Sequence, residues 1–151
     1  MAMDALPPVG RIEGQEHHFV LRVYFEDTDL TGVVYHANYL RFMERARSDM
    51  LLAVGIDQRA VQEAGEGAYA ISNLAIRYRA PARLGDELTV ISRLKRLRAA
   101  SVDIHQRVMR GAEILTEADV EAAFVAPNGR PRRQPVAWAR AFEPLIWKGN
   151  E

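Results

Sequence analysis

ELTVISRLKRLRAASVDIHQRVMRGAEILTEADVEAAFV, residues 87–125, reads as three successive β-strands with no room for a helix between them. Glu87 to Leu97, Ser101 to Arg110 and Glu113 to Val125 are separated only by Arg98 to Ala100 and by a turn at Gly111. In the third strand Ile114, Ala118, Val120, Ala122 and Phe124 face one way and Glu117, Asp119 and Glu121 the other, so one face of the sheet meets solvent. Parallel neighbours need a crossover of about a dozen residues or more, so these strands pair antiparallel.

Upstream, Tyr69 to Arg79 reads as a further strand, joined to this run through Pro81 to Asp86. His18 to Phe25 alternates as well, with Phe19, Leu21, Val23 and Phe25 on one side. Between these two strands lies the one long helical pattern. From about Asn38 to Val54, Tyr39, Phe42, Met43, Ala46, Met50, Ala53 and Val54 recur at helical spacing, and Gly55 is a natural terminator. Arg41, Glu44, Arg45, Arg47 and Asp49 fall opposite that stripe, and Glu44, Arg45 and Arg47 read as a solvated, salt-bridged face. A short connector helix fits between Asp57, as N-cap, and Gly65. One strand, one long helix and four strands without crossover helices describe an α+β protein of hotdog architecture, a mainly antiparallel sheet wrapped around one helix. Residues 1–15, broken by Pro, Gly and charge, are expected to be a flexible arm, 16–145 a single domain and 146–151 a tail.

A chain of 151 residues, 48% apolar, is long enough for one domain with a real core. Its 20 basic and 20 acidic residues cancel, so no global field gathers nucleic acid or an anionic membrane. The absence of cysteine removes thiolate nucleophiles, thiolate metal clusters and disulfides. No signal-peptide pattern and no transmembrane run is present, so a cytoplasmic protein is expected.

The densest polar stretch, Glu26-Asp27-Thr28-Asp29-Leu30-Thr31-Gly32-Val33-Val34-Tyr35-His36-Ala37-Asn38, lies between the first long strand and the helix. A helix start presents open N–H groups and partial positive charge, which polarise a carbonyl oxygen during nucleophilic attack. A carboxylate beside that point activates water or attacks directly. Aspartates in a D-x-D loop also commonly cap turns, and a lone histidine at a helix start is commonly a packing residue, so the stretch leaves both readings open. Gly32 serves either a special backbone conformation or a close approach. His17, His18 and His105 lack metal-site spacing and read as surface or strand histidines, so no metal is expected.

The run Arg22 to Arg47, RVYFEDTDLTGVVYHANYLRFMERAR, resembles, without a gap, the signature of hotdog acyl-CoA thioesterases related to 4-hydroxybenzoyl-CoA thioesterase, most of all the branch associated with the bacterial Tol-Pal system. Its strongest elements are Asp27-Thr28-Asp29, Gly32, Tyr35-His36 and Glu44-Arg45-Ala46-Arg47, and weaker likeness extends over most of residues 18–126. The resemblance implies hydrolysis of acyl-CoA with no cofactor, Asp29 as catalytic carboxylate, His36 as a supporting polar residue and N–H groups around Tyr35, His36 and Ala37 as carbonyl binders. It also implies a homodimer or dimer of dimers, each site drawing on both subunits, with Ser72 or Asn73 on the edge strand reaching the partner's Asp29. An association with an inner-membrane or Tol-Pal complex rests on the same resemblance. Relatives often carry two tyrosines where this chain has Tyr24-Phe25, so a phenol hydroxyl is absent or replaced here. For the coenzyme A phosphates, Lys95, Arg96 and Arg98, beside Arg93, are the favoured basic cluster, ahead of Arg130, Arg132 and Arg133.

Two other functions compete. Asp27-Thr28-Asp29-Leu30-Thr31 literally fits the D-x-D-x-T pattern of haloacid-dehalogenase-type phosphatases, but the strand-rich remainder does not supply the parallel sheet and the late acidic pair of that class. A non-catalytic acyl-CoA-binding hotdog module is the other, since a fold does not fix activity. The seven-residue step from Asp29 to His36 departs from the arrangement of hotdog dehydratases. Chain length and chemical type of the acyl group are not legible in the sequence.

Overall fold

A computed structural model describes residues 8–149. The strands are β1 (Arg11–Glu13), β2 (Glu16–Arg22), β3 (Ala68–Tyr78), β4 (Glu87–Leu97), β5 (Ser101–Arg110) and β6 (Glu113–Val125). They form one antiparallel sheet in the order β1-β2-β4-β5-β6-β3. Helix α1 (Asn38–Ala53) lies on the sheet, and α2 (Gln58–Glu63) and α3 (Val136–Phe142) are short. No helix among the described residues is long and apolar enough to cross a membrane. This is the expected α+β hotdog arrangement.

Tyr39, Phe42, Met43 and Ala46 bring the apolar stripe of α1 down onto Leu88, Val90, Val108 and Val120 of the sheet, while Met50 joins Leu94, Ile104 and Phe124 in a second cluster. The helix stops where Gly55 takes φ 84°. Asp57 caps α2 as the sequence suggests, its carboxylate accepting the Ala60 N–H at 3.0 Å. On β3 the polar pair Ser72-Asn73 is explained by a bulge: the register to β6 slips between Ile71 and Asn73, leaving Ser72 as the extra residue.

Several expectations need correction. The strand expected to reach Phe25 stops at Arg22, because the Asp27 carboxylate takes the Tyr24 N–H and a 3-10 turn, Phe25–Asp27, begins. Phe25 is 80% exposed rather than inward-facing. The flexible arm is not one throughout: Arg11–Glu13 pairs with β2, and residues 1–7 lie outside the described residues. The C-terminal tail begins packed on β4: the Trp147 N–H bonds the Leu94 carbonyl at 2.8 Å and the Arg93 guanidinium lies 4.0 Å from the centre of the Trp147 ring. Helix α3 was not anticipated; its Trp138 and Phe142 close the end of the core against Phe124.

Asp49 and His17 account for the ordered N-terminal segment. Asp49 lies opposite the apolar stripe and His17 is the strand histidine that the sequence allowed for, in β2; the two are 6% and 1% exposed and bonded at 2.7 Å. The same carboxylate accepts the Val9 and Gly10 N–H groups at 2.6 and 2.8 Å, so α1 holds the chain before β1 as well as β2. Only glycine fits at position 10, where a Cβ would lie 2.7 Å from the Asp49 carboxylate and closer still to the His18 carbonyl oxygen. Arg47, expected in solvent, is half-buried and donates to the buried Gln106 side chain at 2.8 Å.

Burial pushes the His17 imidazole below its ordinary range, and the bond to Asp49 offsets part of that shift. With the folded value depressed, the unfolded chain takes up its proton first as the pH falls. The contribution to stability is therefore present above roughly pH 6.5 and lost on acidification through the folded value. Urea unfolding from pH 8 to 5 is expected to show a falling midpoint that flattens in His17→Gln, while Asp49→Ala, which strips three donors of one acceptor, is expected to cost about 3 kcal/mol at pH 7.

Candidate active site

The loop between β2 and α1 is built by Asp27. Its side chain is 7% exposed and accepts the Tyr24 N–H at 2.9 Å and the Asn38 side-chain amide at 2.8 Å, while its carbonyl accepts the Tyr35 N–H at 2.9 Å. One residue thus ties the end of the strand, the last part of the loop and the first residue of α1. Asp27 is the capping aspartate that the D-x-D pattern allowed for.

Asp29 is different. Its side chain projects into solvent, and Oδ1 accepts both the N–H and the hydroxyl of Thr31 at 2.7 Å. The Asp29 carbonyl receives the Gly32 N–H at 3.3 Å, and Gly32 takes φ 82° with open space where a Cβ would project, so this glycine serves the turn conformation rather than a close approach. The bonds from the Thr31 hydroxyl and N–H hold the Asp29 carboxyl below its ordinary range.

Helix α1 opens without a cap. Ala37, at the N-cap position, makes no side-chain bond to the helix, and no acidic residue occupies the first turn. Among the described residues the N–H groups of His36 and Ala37 have no hydrogen-bond partner. The Tyr35 N–H, expected to be a third donor, is not available, because Asp27 holds it. Asp29 shares a cleft of about 300 Å³ with Tyr35, Ala37, Asn38 and Arg41, so the carboxylate and the open helix end come together.

The other expected residues are more dispersed. The His36 ring lines a neighbouring cleft of about 290 Å³ with Tyr39 and Tyr78, and its own carbonyl accepts the Tyr78 hydroxyl at 2.7 Å. Ser72 bonds the Glu121 carboxylate at 2.6 Å, and Asn73 lines a groove with Lys95, Asp103 and Glu121. Within one chain neither shares a cleft with Asp29. Arg98 is paired to Asp103 and Glu121, both at 3.0 Å, and Arg96 is exposed. Arg98 is therefore held by carboxylates rather than open to an anion. Arg41 and Tyr78 beside the helix mouth were not singled out in the sequence; only packing makes them neighbours of it.

Residues 23–142 match the Thioesterase-like superfamily. The chain is 41% identical over 122 residues to "Acyl-CoA thioesterase YbgC" of Haemophilus influenzae, covering 81% of this chain and 88% of that protein. It is 38% identical over 125 residues to "Acyl-CoA thioester hydrolase YbgC" of Escherichia coli, covering 82% and 92%. Among solved structures, a probable thioesterase from Bartonella henselae superposes with a TM-score of 0.76 at 37% identity, over 80% of this chain and 99% of that one.

Because two Thr31 bonds hold the Asp29 carboxylate in its charged form, an NMR titration of its carboxyl carbon is expected to place Asp29 below the ordinary aspartate range. Thr31→Val, which keeps the N–H and loses the hydroxyl, is expected to raise it.

Proposed function

Since the chain belongs to the thioesterase-like superfamily and is a thioester hydrolase, we propose that it cleaves acyl-CoA to the free acid and coenzyme A at the mouth of α1, with Asp29 as the catalytic carboxylate. One observation carries this reading: an ionised, outward-facing carboxylate shares a cleft with an uncapped helix start. The thioester carbonyl oxygen accepts from the Ala37 and His36 N–H groups, and the partial positive charge of the helix end adds to the polarisation. Asp29 then takes a proton from water as the water oxygen bonds to the carbonyl carbon. Negative charge gathers on the carbonyl oxygen, facing the two donors. Collapse of that intermediate breaks the carbon–sulfur bond, and the thiolate takes the proton from Asp29. In the alternative route the carboxylate itself attacks, thiolate leaves, and water cleaves the resulting anhydride.

His36 supports the site through its backbone. Its ring borders the same turn from the neighbouring cleft and would touch substrate only at the edge of the site. The phenol hydroxyl missing at Phe25 is not replaced from that position, whose side chain stands in solvent.

The active unit in this reading is a dimer. Edge strand β3 is 11 residues long, has no neighbouring strand on one side among the described residues, and exposes Ile71 and Tyr78 by 46% and 47%. Pairing it with a second copy satisfies its open backbone groups and sets Ser72 or Asn73 beside the partner's Asp29. The coenzyme A phosphates are then drawn by Lys95 and Arg96 at the rim of the sheet.

Asp29→Asn is expected to lower kcat about 10²- to 10⁴-fold without loss of fold. Asp27→Asn should lower it less. A screen of aliphatic and aromatic acyl-CoAs, with free thiol detected, sets the acyl preference; no hydrolysis anywhere in the panel would favour a binding module instead. Turnover in ¹⁸O water under single-turnover conditions tests for the anhydride route, because water attack on the aspartyl carbonyl of the anhydride leaves label in Asp29, which direct attack on the thioester never does. Sedimentation at micromolar concentration is expected to give a dimer or a dimer of dimers, and an active monomer would overturn the shared site.

A further inference from the structure

Resting on the α1 mouth as the carbonyl-binding point, we propose that Tyr78 is a positioning residue whose hydroxyl, by holding the His36 carbonyl, aims the Ala37 N–H at the thioester oxygen.

The geometry lies in one peptide plane. Residues Tyr35 to Asn38 form a turn closed by the Asn38 N–H on the Tyr35 carbonyl at 2.8 Å. The peptide joining His36 to Ala37 is the central unit of that turn, the one whose rotation separates the two common turn types while the closing bond persists. The closing bond therefore does not fix it. What sets its tilt is the Tyr78 hydroxyl, which donates to the His36 oxygen at 2.7 Å. In a planar trans peptide the C=O and the following N–H point in opposite directions. With the carbonyl directed to Tyr78, in the cleft that Tyr78 shares with His36, the Ala37 N–H is directed to the other side, where Ala37 borders Asp29.

Tyr78 is itself braced. Its ring meets Tyr39 edge-on at 5.6 Å between centroids, and the Tyr39 hydroxyl accepts the Ala82 N–H at 3.0 Å just beyond the end of β3. The sheet thus holds the tyrosine, and the tyrosine holds the turn. Ala37 sits at φ −75°, and full inversion of the peptide would demand a positive φ that its Cβ opposes. Loss of the hydroxyl therefore tilts the donor rather than removing it. The expected penalty is accordingly smaller than the roughly 10²- to 10³-fold seen when an oxyanion donor is deleted.

Tyr78→Phe keeps the ring and deletes only the hydroxyl. It is expected to lower kcat about 10-fold, leaving KM within about twofold and the melting temperature near that of the unsubstituted protein. The discriminating readout is the carbonyl carbon shift of a bound acyl-CoA analogue with CH₂ in place of the thioester sulfur, ¹³C-labelled at the carbonyl. Binding to the unsubstituted protein should move that resonance downfield, and Tyr78→Phe should lose at least half of the movement. An unchanged shift overturns the proposal, whether kcat holds or falls together with the melting temperature. Because the resonance is read without turnover, a protein that hydrolyses no acyl-CoA would sink the proposed activity and leave this test intact.

Discussion

A buried carboxylate with hydrogen bonds and no cationic partner among the described residues stands at the origin of the site. Taking Asp27 out of water is unfavourable unless its oxygens find donors, and they find the Tyr24 N–H and the Asn38 amide. Those two bonds stop β2, start the 3-10 turn and fasten the loop to the first residue of α1. The Asp27 carbonyl adds the Tyr35 N–H. The second aspartate of the triplet is then left outside, on a turn closed by Gly32 and Thr31. The division of labour between two aspartates two residues apart thus follows from which one the loop buries.

The starts of α1 and α2 show the other side of the same design. At α2 the Asp57 carboxylate quenches an open N–H, as at most helix ends in water. At α1 no side chain does so, and two amides before the helix remain without partners. An uncapped start forgoes about 1 kcal/mol of stability but keeps its donors for a ligand. The sheet compensates. Tyr39, Phe42 and Met43, in the first turns of α1, are almost completely buried against it, so the helix end is held by packing where capping is absent. Tyr78 extends that support from the end of β3 to the turn itself.

At the other end of α1, Asp49 joins the chain ahead of β1, the start of β2 and the helix through one carboxylate. A sequence pattern places it on the polar side of the helical wheel, which is correct as an angle. It does not follow that this side faces water. The N-terminal segment folds back over it, and Gly10 permits the close approach. Arg47 is reclassified for the same reason: the Gln106 side chain rises from β5 to meet it.

Residue order alone determined five of the six strands, the long helix, the antiparallel pairing and the polar segment of the candidate site, because each depends on periodicity or turn chemistry within a few neighbouring residues. Glu87–Leu97, Ser101–Arg110 and Glu113–Val125 begin and end where alternation and Gly111 place them. Asp29 stood out in the same way, beside a glycine and a helix start. Only the tertiary structure decided that Asp27 is buried and Asp29 exposed, that the Tyr35 amide is engaged while those of His36 and Ala37 are open, and that the His36 ring lies in a different cleft from Asp29. It also decided that the Arg98 guanidinium is neutralised by Asp103 and Glu121 and that Tyr78, 42 residues from His36, touches its carbonyl. These are matters of which groups lose water and which partners reach them. Such facts depend on segments far apart in the chain, and no local pattern encodes them.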